Sequence, residues 1–184
     1  APTDPVAVVL LENGGRVLDE LRWGLVPSWG DPSDRRAPRP INARAETLAT
    51  SGMFRRLLPT QRCLVVADGF YEWSGPRARR QAFRARLADG ATFGFAGLWD
   101  CWQDRRDPAA APLRTCTIVT TEANPLVRPV HDRMPAILPP EAEERWLDPR
   151  LTDAAQLVAL LRPYPAERMA RDRVSALVND VCNQ

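Results

Sequence analysis

The segment PVAVVLLENGGRVLDELRW, residues 5–23, places the strongest constraint on the fold. An apolar run reaches Leu11, and Asn13-Gly14-Gly15 then supply residues that tolerate positive φ. A partly alternating run continues to Trp23. This order predicts a β-hairpin closed by a tight turn. A hairpin is not stable alone, so the remaining chain must supply partners for its apolar face.

Those partners are mostly short strands. RCLVVADGFYEW (62–73) predicts a strand that breaks at Asp68-Gly69 and restarts. QAFRARL (81–87) alternates as a half-buried strand does. ATFGFAGLWD (91–100) predicts another, with Gly94 and Gly97 marking a bend or a close backbone approach, and LRTCTIVTT (113–121) one more. GPRARR (75–80) is a turn. GDPSDRRAPRP (30–40) and DRRDPAAAP (104–112) are polar and Pro-rich, hence surface loops. NARAETLATSGMFRRLL (42–58) suits two short helical turns. Pro140 ahead of the acidic EAEE run starts a helix, and Thr152 is placed to cap DAAQLVALL, which must stop by Pro163. The tail ERMARDRVSALVND (167–180) returns to strand or irregular structure. The expected fold is α+β: one domain over residues 1–184, with a curved, barrel-like, mainly antiparallel sheet and short peripheral helices.

Charge is nearly balanced at +2, which by itself does not mark a nucleic-acid binder. All 25 basic positions are arginine, as a GC-rich genome would produce. The lack of lysine has a chemical consequence. Amine chemistry on a carbonyl usually uses a lysine of lowered pKa. Here the amine left is the α-amino group, whose reference pKa of about 7.7–8.0 leaves a neutral fraction at cellular pH. Cysteines stand at 63, 101, 116 and 182 without a CxxC pair, and one histidine cannot complete an ordinary zinc site. No metal or cofactor is therefore expected. Cys63 and Cys116 lie in apolar runs and are expected as buried free thiols, in keeping with a reducing cytoplasm. No apolar stretch reaches membrane-spanning length.

Three segments combine polar residues with an apolar frame. Asn42 and Arg44 follow the first loop, where an asparagine is ordinarily a helix N-cap. Glu72 stands between Tyr71 and Trp73. It either points to solvent from an edge strand or faces a pocket, where desolvation would raise its pKa and suit it to proton transfer. His131 is the single histidine, in RPVHDRMP, and a lone histidine in a turn is more often structural than catalytic. Together the three supply an amide, a carboxylate and an imidazole. Arginines for phosphate and tryptophans for bases lie near them in sequence, as in a single-stranded nucleic-acid site. No internal nucleophile elbow or phosphate loop accompanies them.

The ordered set RWGLVPSW, INARAET, RCLVVADGFYEW, GFAGLWD, TIVTTEAN, HDRMPAIL and VSALVND closely resembles the SOS response-associated peptidase (SRAP) family along almost the whole chain. The resemblance implies a protein that senses and shields abasic sites in single-stranded DNA. An N-terminal cysteine, exposed by self-removal of the initiator Met, attacks the ring-opened sugar aldehyde and closes a thiazolidine crosslink. By the same resemblance Asn42, Glu72 and His131 are the catalytic residues: Asn42 contacts the site, Glu72 carries protons, and His131 assists ring opening. Arg44, Trp73, Thr120 and Arg133 match DNA-contacting positions, and Trp29 is added to them. A cytoplasmic, nucleoid-associated bacterial monomer without a membrane partner is implied. The family's mature chain begins Cys-Gly-Arg, whereas this sequence opens at APT. The expectation is that the natural protein carries that segment and that residues 1–184 alone are inactive. The competing expectations are a thiol peptidase acting on other proteins, which needs a Cys–His pair, and a module that binds single strands without covalent chemistry.

Overall fold

The computed structural model describes residues 1–76 and 79–179. Arg77 and Ala78 of the predicted turn, Asp180 of the VSALVND segment and Cys182 lie outside the described residues.

The opening hairpin forms as its turn residues dictate. β1 (Pro5–Glu12) and β2 (Gly15–Trp23) pair antiparallel from Pro5↔Arg22 to Glu12↔Gly15. Asn13 and Gly14 hold φ of 51° and 79° between them, the two left-handed residues of a tight hairpin turn. Further strands are β3 (Asn42–Arg44), β4 (Arg62–Ala67), β5 (Phe70–Ser74), β6 (Gln81–Leu87), β7 (Phe93–Trp102), β8 (Leu113–Glu122), β9 (Arg133–Pro135), β10 (Ile137–Leu138) and β11 (Met169–Arg173). The helices are α1 (Pro140–Leu147) and α2 (Ala154–Ala159).

Strands β7, β4, β1, β2 and β8 follow one another in hydrogen-bonded order, and β8 pairs back onto β7, so the sheet closes into a ring. β5, β6 and β11 form a separate three-stranded antiparallel sheet. The α+β, sheet-dominated expectation holds. Most pairings are antiparallel, but β2 and β3 each run parallel to β8. Local turn signals predict hairpins, so pairings between segments this far apart leave no such mark.

Strands β4, β7 and β8 of the ring are covered on both faces. Val8, Leu10, Val65, Phe95 and Ile118 pack toward the three-stranded sheet through Phe70, Ala85, Leu87 and Met169. Their neighbours Leu64, Ala96 and Val119 pack on the other face with Leu48, Leu58, Trp146 and Leu157. Double coverage explains why LVV and TIV are continuous apolar runs rather than alternating ones. Gly97 is required by the same packing. A Cβ there would lie 2.7 Å from Cys63 Sγ and 3.3 Å from the Thr117 carbonyl oxygen. Cys63 and Cys116 are fully buried free thiols, and burial pushes the Cys116 thiol up to about 12.

Arg62 ties the helical side to the ring. Its buried guanidinium donates to the carbonyls of Leu58 and Asp148 at 2.7 Å, and to those of Pro59 and Trp146. The planar fork serves the C-terminal end of α1 and the turn before β4 without needing a carboxylate. The Trp146 indole in turn donates to the Cys63 carbonyl at 3.0 Å.

Two local expectations are corrected. Residues 42–44 are strand rather than helix, because β8 captures their backbone. A 3₁₀ turn begins only at Ala45–Thr47, and its N-cap, Arg44, makes no side-chain cap. Asn42 is therefore not a helix cap. α2 is capped by Asp153, which accepts from the Gln156 amide at 2.8 Å, rather than by Thr152.

Gly97→Ala is expected to lower stability by about 1–3 kcal/mol through overpacking. Gly52→Ala, where an added Cβ meets nothing within 4 Å, is expected to leave stability nearly unchanged. Urea unfolding of the two variants measures the difference, and equal midpoints would contradict the close approach.

Candidate functional site

The C-terminal end of β8 collects the polar residues. β3 lies along one edge, with Asn42 opposite Ile118 and Arg44 opposite Thr120. β9 lies along the other, with Pro135 opposite Thr120 and Arg133 opposite Glu122. Asn42 and Arg44 point the same way from β3, two residues apart, and both are exposed. Among the described residues the Asn42 amide has no hydrogen-bond partner, so it is available to a ligand.

The turn between β8 and β9 carries His131, and its shape depends on Asn124. This buried amide accepts from the backbone N–H groups of Leu126 (3.1 Å) and Val127 (3.0 Å). It donates to the Tyr164 carbonyl at 2.7 Å. Val127 O then accepts from His131 N at 3.1 Å, and Asp132 O accepts from Ala123 N at 2.9 Å. Asn124 stood within the TTEAN segment, but nothing local distinguishes an asparagine that organises a distant turn from one in a loop.

The His131 ring is held by the backbone of its own turn. The Arg133 amide donates to Nδ1 at 3.0 Å, which suits a neutral ring with its hydrogen on Nε2. Nδ1 also lies 3.1 Å from the Arg133 carbonyl oxygen and 3.3 Å from Asp132 Oδ1, acceptors for a charged ring.

Glu72 comes from the other sheet. On β5, Phe70, Glu72 and Ser74 share one face, and Phe70 belongs to the core, so Glu72 faces inward at the margin of that core. Its cross-strand neighbour is Phe83. Burial pushes the Glu72 carboxyl above its ordinary value. The His131 ring works against that shift and the Asp132 carboxylate reinforces it. Glu72, His131 and Asp132 thus form one electrostatic group, with a carboxyl that can hold a proton closer to neutrality than an exposed glutamate.

Arg133 is engaged within the protein. It meets Glu46 through two parallel bonds of 2.8 and 3.0 Å and donates to the Thr120 carbonyl at 2.7 Å. The guanidinium holds the Glu46 carboxyl below its ordinary value. Thr120 is buried, and its hydroxyl is 3.4 Å from the same guanidinium. Glu46 was visible inside INARAET as a residue but not as this partner, since the pairing spans two strands.

Two predicted residues stand apart. Trp73 alternates to the opposite face of β5 from Glu72, beside Tyr71 at 6.5 Å between ring centroids. Trp29 is 61% exposed on a turn pinned by Ser28 N to Asp100 and Val26 N to Thr115. Thr115 precedes Thr120 by five residues of β8, roughly 17 Å along a strand. The start of the chain lies nearer the site. Thr3 N donates to Trp23 O, and the Trp23 indole donates to Ile41 O, one residue before Asn42. A cavity of about 560 Å³ lies elsewhere, lined by Leu11, Arg16, Arg145 and Asp148 among others, and has no share in these groups. Among the described residues no helix is long and apolar enough to cross a membrane.

Comparison with known proteins gives a consistent picture. The family described as SOS response associated peptidase (SRAP) matches residues 1–181. The chain is 41% identical over 185 residues to the abasic site processing protein YoqW of Bacillus subtilis (strain 168), spanning 100% of this chain and 80% of that protein. It is 35% identical over 168 residues to the abasic site processing protein YedK of Escherichia coli (strain K12), spanning 91% of this chain and 72% of that protein. A crystal structure of a protein from Bacteroides thetaiotaomicron superposes with a TM-score of 0.87 at 28% identity, over 99% of this chain and 79% of that one.

The raised carboxyl gives a test of the site's electrostatics. A folded-state pKa above the unfolded value means that ionising Glu72 costs stability. That cost is absent below the unfolded carboxyl pKa and appears as pH rises through the folded one. Glu72→Gln is therefore expected to gain on the wild type as pH is raised from acid to neutral, measured by urea midpoints. A difference that stays constant across that range would contradict the inward placement.

Proposed function

The chain belongs to the SOS response associated peptidase (SRAP) family, and from that premise we propose that it processes abasic sites in single-stranded DNA by imine and thiazolidine chemistry. The observation that carries this reading is the pairing of an inward, proton-holding Glu72 with His131, beside the unoccupied amide of Asn42.

The ring-opened sugar of an abasic site presents an aldehyde. An α-amine adds to its carbon to give a carbinolamine, and the oxygen leaves as water once protonated. A neighbouring thiolate then adds to the C=N carbon and closes the five-membered ring. A carboxyl that still holds its proton near neutrality suits the protonation of the departing oxygen, which is Glu72's role. His131, its ring held at Nδ1 by the Arg133 backbone, suits the proton transfers that open the sugar. Asn42 orients the sugar, and the exposed Arg44 offers a phosphate contact.

The amine and thiol are assigned to the family's N-terminal cysteine, which has both on one residue. The two buried thiols do not replace it: burial raises Cys63 well above its ordinary value and pushes Cys116 up to about 12, so neither is a thiolate at neutral pH. The same protonation weighs against a peptidase built on either of them.

Protein carrying a Cys-Gly-Arg start ahead of residue 1 is expected to give a covalent band with an abasic single-stranded oligonucleotide on a denaturing gel, and residues 1–184 alone to give none. Glu72→Gln in the reactive form is expected to slow band formation by roughly 10²–10⁴-fold, the usual worth of general acid–base help, while binding changes little. Equal rates would remove Glu72 from the mechanism, and no band from any form would overturn the assignment.

A further inference from the structure

The face of the three-stranded sheet that carries Glu72 continues past it. Glu72 on β5 is opposite Phe83 on β6, and Phe83 is opposite Arg173 on β11. Directly opposed residues of antiparallel strands share a face, so Glu72, Phe83 and Arg173 form one cross-strand row. The next row is Phe70, Ala85 and Arg171. Two strand spacings of about 4.8 Å separate the backbones of Glu72 and Arg173, roughly 10 Å in all.

The two arginines of this face differ from those around them. On the outer face Arg84 pairs with Asp68, and Arg86 with Asp172, each at 2.8 Å. Arg133 is held by Glu46. Among the described residues Arg171 and Arg173 have no carboxylate within 4.0 Å. Their guanidinium carbons lie 5.0 and 6.0 Å from the centroid of the Phe83 ring, which orients both without neutralising either. Arg171 also donates to the Leu126 carbonyl at 2.8 Å, which joins β11 to the turn that carries His131. Arg173 is exposed. The result is uncompensated positive charge, held on a ring, in the same row as the proton-carrying carboxyl.

We propose that Arg173, positioned with Arg171 by Phe83, is a phosphate-binding extension of the site that takes the backbone of single-stranded DNA running on from Glu72. The inference rests on the reading of the site as one for single-stranded DNA. Arg44 then holds the strand on the β3 side and Arg173 on the β11 side, with Glu72 and His131 in between. Arg133, with its two terminal nitrogens turned to Glu46 and Thr120, keeps the architecture of the β8 end.

The test is binding of the purified chain to fluorescein-labelled oligothymidylate, followed by anisotropy across a range of NaCl concentrations. One lost phosphate contact on a single strand lowers the slope of log K against log[salt] by about 0.7. Arg173→Gln is expected to weaken binding and lower the slope by that amount. Arg173→Lys is expected to keep the slope, and Asp172→Asn, on the outer face of the same strand, to match the wild type. An unchanged slope in Arg173→Gln beside a lowered one in Arg44→Gln would overturn the proposal, and so would salt-independent binding by the wild type. Covalent reaction with abasic DNA is scored separately in the form with the N-terminal cysteine. If that reaction persists while the Arg173→Gln slope is unchanged, only the phosphate extension falls. If no form reacts but the slope drops, the phosphate extension stands and the abasic chemistry falls.

Discussion

Everything at the site depends on β8 being paired on both edges along its length. β7 and then β9 take one edge, and β2 and then β3 take the other. Residues 115–121 are buried throughout, so the strand has no freedom to slide. A one-residue slip would turn every core side chain to the wrong face. Asn42, Arg44, Thr120 and Arg133 therefore take their places from backbone pairing with a locked strand. The parallel pairings to β2 and β3 matter most, because they fix the end of the hairpin on β8 and carry Asn42 and Arg44 along its edge toward Thr120.

The second sheet supplies what β8 cannot. A raised Glu72 carboxyl requires a partly apolar setting, and charged neighbours adjust it. The inward face of β5 provides the first through Phe70 and Phe83, and the β8–β9 turn provides the second. Asn124 lies beneath both, with one hydrogen bond reaching Tyr164 O ahead of β11 and others shaping the turn. Arginine chemistry is divided in the same way. Arg62 is spent on carbonyls, Arg133 on Glu46, and Arg84 and Arg86 on aspartates, whereas Arg171 and Arg173 on the inner face have no carboxylate partner among the described residues.

Much of this was legible in one dimension. The hairpin turn at Asn13-Gly14, the break at Asp68-Gly69, the close approach at Gly97 and the helix start at Pro140 each follow from local chemistry, and each is where it was expected. Asn42, Glu72 and His131 were legible as polar residues in apolar frames, and the ordered motifs assigned them to a family. The misplaced elements were those governed by distant partners. Residues 42–44 have the composition of a helix start, yet β8 draws them into a strand. Thr152 and Asp153 are both good caps, and only the path of the chain selects Asp153.

The sequence by itself determined most element types, the chemical inventory and the family, because turn residues, periodicity and residue identity are local properties. The tertiary structure alone decided which groups are neighbours and which are already engaged. The raised Glu72 carboxyl comes from burial, with His131 opposing the shift and Asp132 reinforcing it from the β8–β9 turn. The engagement of Arg133 comes from Glu46, 87 positions away, and the row of Glu72, Phe83 and Arg173 comes from strand register. Desolvation, ion pairing and register depend on distances in space, and those exist only once the ring has closed.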